Sequence, residues 1–197
     1  MIAHELRQPL GAIESIAYYL GLVLAPGDDR AREQVARLQQ LVEQSNWILT
    51  CGLQMADQTP LAPEPLNLEQ LIRQAVSART SQGHPQPILE LSGDLPPVRL
   101  DPGRSRALIE NLLALVRQVS SEAHPVRLRT AAADTEGGGG VLLEISTTAV
   151  GYRSETALGP GSALGLECAR RIAQAHGGSL TVDVDPVSGI RLRAVLP

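Results

Sequence analysis

His4, Glu5 and Gln8 stand close together within the first ten residues and are the side chains of this chain best suited to chemistry. A neutral imidazole is a nucleophile through a ring nitrogen, and a neighbouring carboxylate can accept its proton or orient the ring. Pro9 cannot donate a backbone hydrogen bond to the carbonyl of Glu5, so it predicts a bend in a helix just after His4. A lone exposed histidine is as often a solvated side chain, so the surrounding elements must distinguish the two interpretations.

The helix expected to carry His4 is amphipathic. Its apolar residues are spaced alternately four and three apart, which is the pattern of a coiled-coil seam. They are Leu6, Leu10, Ile13, Ala17, Leu20 and Leu24. The pattern predicts a helix over residues 2–25, ended by the sequence A-P-G at 25–27. With Leu6 at position d, His4 takes position b and Gln8 position f, so both side chains are expected on the outer face, one turn apart.

A second helix is predicted from an N-cap at Asp28 or Asp29 to about Ala56. Its apolar stripe repeats the same spacing and consists of Ala31, Val35, Leu38, Val42, Ser45, Leu49 and Gly52. Two such helices form a hairpin over residues 1–58, and two hairpins related by a dyad cover both stripes in a four-helix bundle. We therefore predict a homodimer. The alternative is that the stripes pack on the rest of the same chain.

Residues 57–65 contain three prolines and predict a linker before a second domain over residues 66–197. Helices are expected there at 68–79, 102–119 and 163–175, and strands at 88–91, 98–100, 126–130, 141–146, 179–184 and 190–195. The glycine run at 137–140 predicts a flexible hairpin loop. The predicted fold class is α+β: a helical hairpin followed by an α/β sandwich with a largely antiparallel sheet and helices on one face.

The composition argues against several classes of function. The 197 residues, 43% of them hydrophobic, suffice to bury a core, and a net charge of −4 with scattered arginines argues against nucleic acid as a partner. Cys51 and Cys168 lie far apart in predicted helices, which favours free thiols in a reducing cytosol over a disulfide or metal site. The sequence has no cleavable signal and no run of about eighteen apolar residues. We expect a cytoplasmic protein, or the cytoplasmic core of a longer one.

Residues 4–10 read H-E-L-R-Q-P-L, which resembles the phosphoacceptor box H-E-L-R-N/T-P-L of sensor histidine kinases. The resemblance implies that His4 takes a phosphoryl group on a ring nitrogen, with Glu5 accepting a proton or orienting the ring. Gln8 stands where the family has Asn or Thr, the side chain that positions water for dephosphorylation. A glutamine amide has the same chemistry with a longer reach.

The second domain resembles the ATP-binding domain that follows this hairpin in histidine kinases, a fold shared with gyrase, Hsp90 and MutL. The matching segments are 95–98 with Asp101, an asparagine box beginning at Asn111, a second glycine box at 161–166, residues 176–180, and Gly189 with residues 196–197. The resemblance implies a nucleotide site made by Asn111, Gly151, Gly161 and Gly165. Gly161 and Gly165 would cradle phosphate with backbone N–H groups at a helix N-terminus. Taken singly, this pair also fits a tight turn, and Asn111 an ordinary helix residue.

Departures from the family pattern bear on ATP. Leu115 stands where the second asparagine of the family holds Mg²⁺, and an alkyl group cannot ligate a hard cation. Thr147 stands where an aspartate accepts from the adenine amino group. The segment between the glycine boxes, 152–160, is short, and the chain has no Phe for the phenylalanine box. We expect ATP and Mg²⁺ to bind weakly or not at all, and we assign no metal site.

Three functions remain open. The first is a degenerate histidine kinase core of a two-component system, which accepts a phosphoryl group on His4 and passes it to the aspartate of a response-regulator receiver domain. Its catalytic residues would be His4, Glu5 and Gln8, and the second domain would be a docking surface. The alternatives are an active ATP-dependent sensor histidine kinase, and a non-enzymatic dimeric signalling scaffold.

Overall fold

The computed structural model describes residues 2–81, 84–135, 138–149 and 161–197. The chain forms two compact units, Met1–Asp57 and Gln58–Pro197. The first is a helical hairpin, and the second combines helices with β-sheet. The predicted fold class, a helical hairpin followed by an α/β domain, is confirmed.

The hairpin consists of α1, Ile2–Val23, and α2, Asp29–Ala56. Asp28 is the N-cap of α2, and its Oδ1 accepts from the N–H of Ala31 at 3.2 Å. This bond satisfies one of the N–H groups that the start of a helix leaves without a helical partner. Gly27, just before the cap, takes a left-handed conformation with φ +101°, which glycine adopts at little cost. The chain reversal is therefore set by local residues.

Few of the apolar side chains on the two helices are fully covered within the hairpin. Ala17, Val42 and Cys51 are buried. The exposed large apolar and aromatic side chains are Leu6, Ile13, Ile16, Tyr18, Tyr19, Leu20, Leu22, Val23, Leu38, Leu41 and Leu53. Leu6, Ile13, Leu20 and Leu38 belong to the predicted seams and remain 46%, 41%, 41% and 40% exposed. One hairpin therefore leaves much of its seam in contact with solvent.

The second unit begins with a short strand and a helix and ends with a β-hairpin. Its elements are β1 Glu64–Leu66, α3 Leu68–Ser81, β2 Ile88–Glu90, β3 Val98–Leu100, α4 Pro102–Arg117, β4 Arg127–Thr135, β5 Gly138–Thr147, α5 Ser162–Ala175, β6 Ser179–Asp185 and β7 Gly189–Leu196. A five-stranded sheet has the order β2-β4-β5-β7-β6. In it β2 and β4 run parallel and the other neighbours antiparallel. The sheet is thus largely antiparallel, as predicted.

Strand β1 was not predicted, because its prolines indicate a linker. It pairs antiparallel with β3 through Pro65 opposite Arg99, and the two strands form a separate small sheet. Proline is tolerated in a strand only where its missing N–H is not needed for the ladder, as at a sheet edge. The pairing partner of β1 lies more than thirty residues away in the sequence. For example, Nη2 of Arg99 donates to the carbonyl oxygen of Pro63 across a separation of 36 residues. Local sequence therefore carries no signal for β1.

The core lies between the sheet and helices α4 and α5. Leu143 and Ile145 of β5 are fully buried, whereas Glu144 and Ser146 alternate onto the other face of the sheet. α4 contacts α3, α5 and β5. Its buried apolar side chains are Ala107, Leu108, Ile109, Leu112, Leu113, Leu115 and Val116. Burial on several sides makes α4 the central helix of this unit.

The expected four-glycine loop is not what the structure has. Gly138, Gly139 and Gly140 are part of β5 and lie opposite Thr135, Asp134 and Ala133 of β4, while Gly137 lies outside the described residues. A Cβ on Gly140 would stand 2.6 Å from the carbonyl oxygen of Leu196. Close approach of β7 therefore requires glycine at this position, and the glycine run extends the strand instead of ending it.

No helix in the described ranges combines the length and the apolar character that crossing a bilayer would require.

Replacing Gly140 by Ala is expected to lower the free energy of unfolding by about 2 kcal/mol or more, because the new methyl group would overlap a backbone carbonyl that cannot turn away. Gly139→Ala is the matched control, since its Cβ would meet Pro96 at 3.7 Å, an ordinary contact. Denaturant unfolding followed by circular dichroism measures both variants. Small, equal losses in the two would show that the glycine run behaves as a loop.

Candidate functional site

His4 is in the first turn of α1 and its side chain is exposed. Gln8, one turn later, is also exposed, and its Nε2 lies 3.5 Å from Nε2 of His4, at the outer limit of hydrogen-bond distance. The two side chains share a face of the helix, as their spacing predicts. Among the described residues, Glu5 makes no hydrogen bond with the imidazole, although it is exposed beside it.

This arrangement leaves a ring nitrogen of His4 open to a reactant in solution. An exposed imidazole can attack an electrophile held by a second molecule, and the Gln8 amide is near enough to contact a group on that nitrogen or a water beside it. Nothing in α2 covers His4, since its side chain remains exposed. The geometry is therefore that of a surface nucleophile and not of a closed pocket.

Asn111 lies on α4 and is buried. Its Nδ2 donates to Sγ of Cys168 on α5 at 3.4 Å. Cys168 and Cys51 are both buried. The amide of Asn111 therefore takes part in the contact between two packed helices, which satisfies a polar group inside the core.

The residues present do not fit a magnesium ion at the position that the family resemblance assigns to it. Leu115 is fully buried in the core and offers only an alkyl group. Within the described part of the chain, no three His, Cys, Asp or Glu side chains come together in a group that could hold a metal. A hard divalent cation requires oxygen ligands, so the chemistry of this donor set disagrees with Mg²⁺.

Thr147, at the end of β5, is buried and its hydroxyl is used within the protein. Its Oγ1 donates to the carbonyl oxygen of His124 at 2.7 Å, and Nδ1 of His124 lies 3.0 Å from Oγ1 of Thr148. These contacts join the end of β5 to the loop between α4 and β4. A neutral hydroxyl in this position carries no negative charge and has its proton committed to a backbone carbonyl.

The second glycine box opens α5. Gly161 is the N-cap with a left-handed φ of +80°, and its carbonyl accepts from the N–H of Gly165 at 3.0 Å. The N–H of Gly165 is thus used inside the helix and does not point at a ligand. Gly161 makes the turn into the helix that glycine allows. Gly151 and the segment 152–160 lie outside the described residues.

Asp101 connects more elements than its role as a helix cap requires. Its Oδ1 accepts from Arg104 N at 2.9 Å and its Oδ2 from Ala62 N at 3.0 Å. Its own N–H donates to Nε2 of His176 at 3.0 Å, while Nδ1 of His176 donates to the carbonyl of Ile172 at 2.8 Å. The neutral tautomer with hydrogen on Nδ1 fits both bonds.

The start of α4, the end of α5 and the segment before β1 therefore meet at Asp101. The backbone N–H groups of Ala62 and Arg104 stabilise the carboxylate and lower its pKa below the ordinary value of 3.8. The sequence indicates the cap at Asp101, since Pro102 follows it, but contains no local signal for the contact with His176.

Comparison with known proteins gives relatives along the whole chain. The sensor histidine kinase ZraS of Escherichia coli K12 is 26% identical over 209 residues, which are 100% of this chain and 44% of that protein. The alginate biosynthesis sensor protein KinB of Pseudomonas aeruginosa is 26% identical over 215 residues, 99% of this chain and 36% of that protein. The chain is a homologue of the sensor histidine kinases. No protein-family model matches it.

Solved structures have the same fold as this histidine kinase homologue. Acinetobacter baumannii histidine kinase AdeS superimposes with a TM-score of 0.58 at 20% identity, covering 98% of this chain and 96% of that one. ShkA, solved with AMPPNP, gives a TM-score of 0.63 at 23% identity, covering 100% of this chain and 44% of that one. The chain has the core architecture of a histidine kinase, a hairpin followed by an ATPase-type domain, and spans less than half the length of the curated relatives it matches.

Asp101→Asn is expected to reduce the free energy of unfolding at pH 7 by about 1 kcal/mol, because the amide is neutral and offers one acceptor oxygen to the two backbone N–H groups that the carboxylate binds. Since the folded-state pKa is lowered, this contribution is fully present above the unfolded pKa and is lost as the pH falls through the folded one. Denaturant unfolding from pH 7 to about pH 2 measures the difference, which should shrink towards zero in acid. Asp94→Asn, at an exposed position, is the control. A difference that does not change with pH would contradict the role of the charge.

Proposed function

We propose that this chain is a phosphotransfer protein of a two-component system, which accepts a phosphoryl group on His4 and transfers it to the aspartate of a response-regulator receiver domain. It does so with little or no ATP binding of its own. The proposal assigns His4 as nucleophile, Glu5 as the acceptor of the ring proton, and Gln8 as the group that contacts the phosphoryl group or the water that removes it.

The observation that carries the proposal is the exposure of His4 on α1 with the Gln8 amide 3.5 Å from its Nε2. A phosphoryl donor held by another protein needs an accessible nucleophile, and an open helix face provides one. Sensor histidine kinases match this chain over 99% or more of its length, and this similarity supports phosphoryl transfer as the reaction class.

The step balances without a further reactant. A ring nitrogen of His4 attacks the phosphorus of an aspartyl phosphate, the bond from phosphorus to the carboxyl oxygen breaks, and the aspartate leaves as a carboxylate. The proton on the other ring nitrogen passes to Glu5 or to water. In the transfer from His4 to a receiver, the receiver aspartate attacks the phosphorus and the bond from phosphorus to the ring nitrogen breaks. The other ring nitrogen takes a proton back from Glu5 or water, so that a neutral imidazole leaves. Positioning supplies most of the catalysis in such a transfer.

Three features of the α/β unit support the loss of ATP use. Leu115 is apolar and fully buried where the family resemblance expects a magnesium ligand. The hydroxyl of Thr147 donates to a backbone carbonyl where a carboxylate is expected. The amide of Asn111 is used at the contact between α4 and α5. The ATPase-type fold is retained while these groups serve packing and internal hydrogen bonds.

The surface of the hairpin supports a homodimer. Apolar residues at predicted seam positions, including Leu6, Ile13 and Leu20, keep two fifths or more of their surface exposed. Contiguous exposed apolar surface of this kind marks an interface in soluble proteins. A second copy related by a dyad brings the same stripes together as a four-helix bundle, so we include the homodimer in the proposal.

Receiver domains phosphorylated with labelled acetyl phosphate are expected to transfer label to the wild-type chain, and the His4→Ala chain is expected to take none. Glu5→Gln and Gln8→Ala should leave His4 as the labelled residue and change only the rate, because they act on the proton and the surroundings of the phosphoryl group. Gel separation at alkaline pH, which preserves phosphohistidine, and mass spectrometry of the peptide containing His4 measure the transfer.

The wild-type chain incubated with labelled ATP and Mg²⁺ is expected to take up no label. Calorimetric titration of the chain with millimolar nucleotide is expected to give no saturable heat of binding. Labelling of His4 from ATP would establish an active kinase in place of a relay protein. Undiminished label in the His4→Ala chain would exclude His4 as the acceptor. A panel of receivers that all fail to label the wild type would favour the scaffold.

Leu20→Glu is expected to convert the dimer to a monomer at micromolar concentration, because it puts a charge into the seam between copies. Leu22→Glu is the matched control on the same helix, at the outer position f, where the side chain is 68% exposed. Sedimentation velocity with circular dichroism measures mass and helix content together. Equal masses for both variants and the wild type would contradict the proposed interface.

A further inference from the structure

A hydrogen bond joins the two helices of the hairpin within one turn of His4. Nη2 of Arg7 donates to Oγ1 of Thr50 on α2 at 2.9 Å. The Thr50 hydroxyl donates in turn to the carbonyl oxygen of Asn46, one turn earlier on α2, at 2.8 Å. The hydroxyl therefore accepts from the guanidinium and gives its own proton to the backbone, which fixes its direction. Arg7 and Thr50 are 43 positions apart.

The part of α1 that this bond restrains has few other restraints. Pro9 lies inside α1, so the carbonyl of Glu5 lacks its usual helical donor. The first turn of any helix also has N–H groups without helical partners. A helix end with fewer backbone hydrogen bonds opens more readily than the helix interior. His4 lies in this end, and Arg7 connects it to the other helix.

From this geometry, and resting on the phosphotransfer function proposed above, we infer that Thr50 is a positioning residue for His4. Through Arg7, Thr50 holds the first two turns of α1 against α2, so that the imidazole meets a phosphoryl donor in a restricted orientation. Positions three apart on a helix are neighbours, so restraint at Arg7 extends to the backbone of His4. A small displacement of an attacking group reduces the rate of transfer far more than it reduces stability.

Thr50→Val removes the hydroxyl and keeps the size and β-branching of the side chain, so the helix itself is little affected. It is expected to slow label uptake by His4 from a phosphorylated receiver domain by roughly fivefold. It is also expected to speed amide hydrogen exchange in the peptide covering residues 2–10. Thr50→Ser retains the hydroxyl and should restore both rates close to those of the wild type.

Two further variants separate the bond from a general effect of removing a helix hydroxyl. Ser15→Ala, at an exposed position of α1 outside the seam, removes a hydroxyl that donates to Gly11 O on the same helix at 2.9 Å, and it should leave uptake unchanged. Arg7→Met keeps the aliphatic stem of the arginine without its charge. If Thr50 acts through Arg7, adding Thr50→Val to Arg7→Met has no further effect, because both changes remove one interaction.

The outcomes distinguish this inference from the proposed function. A labelled wild type with unchanged uptake and exchange in Thr50→Val overturns the positioning role and leaves phosphotransfer standing. A wild-type chain that takes no label from any receiver overturns phosphotransfer, and the positioning role with it. If uptake is as slow in Thr50→Ser as in Thr50→Val, the hydroxyl is not responsible and the route through Arg7 is overturned. The same holds if Thr50→Val slows uptake further when added to Arg7→Met.

Discussion

Burial of α4 against the sheet, α3 and α5 is the interaction on which the α/β unit depends. A helix covered on several sides must be apolar over most of its circumference, and α4 meets this condition with a run of buried Leu, Ile and Val side chains. Asn111 is a buried polar exception, and its amide bonds Cys168. The helix that resembles the family's asparagine box therefore serves here chiefly as core. Leu115, which the family resemblance aligns with a polar magnesium ligand, contributes buried apolar surface to this core.

The hairpin differs from α4 because most of its large apolar side chains are not buried within its own unit. Its two helices leave many large apolar side chains exposed. These side chains need another surface to become buried, and in the proposed homodimer the stripes of a second copy provide it with matching spacing. His4 and Gln8, by contrast, lie on the outer face of α1, away from the seam positions. Chemistry on this face is therefore compatible with tight packing of the seam.

Polar contacts between distant residues then set the finer geometry of both units. In the α/β unit, Asp101 brings together the start of α4, the end of α5 at His176, and the segment at Ala62. In the hairpin, Arg7 and Thr50 tie the end of α1 that carries His4 to α2. Each bond contributes little to total stability, but each restrains a helix end, where backbone hydrogen bonds are fewest.

The sequence by itself determined the elements whose signals are local. Apolar spacing predicted both hairpin helices and the outward face of His4, since burial on a helix follows its period of 3.6 residues. Caps such as Asp28 and alternation in β5 marked ends and faces. The order of the motifs was enough to identify the histidine kinase resemblance, which the relatives confirm. Of the candidate site, the sequence indicated the exposure of His4 and Gln8.

Only the tertiary structure decided the rest, because it depends on contacts between residues far apart in the chain. Strand β1 exists through pairing with β3, and the glycines expected to form a loop extend β5, where Gly140 lies against β7. Thr147 bonds His124, 23 residues away, and Asn111 bonds Cys168, 57 residues away. Asp101 bonds His176 at a separation of 75 residues, and no local pattern records any of these three contacts. The bond between Arg7 and Thr50 depends on tertiary structure for the same reason. The turn at Gly27 folds α2 back along α1, and this brings the guanidinium and the hydroxyl within hydrogen-bond distance.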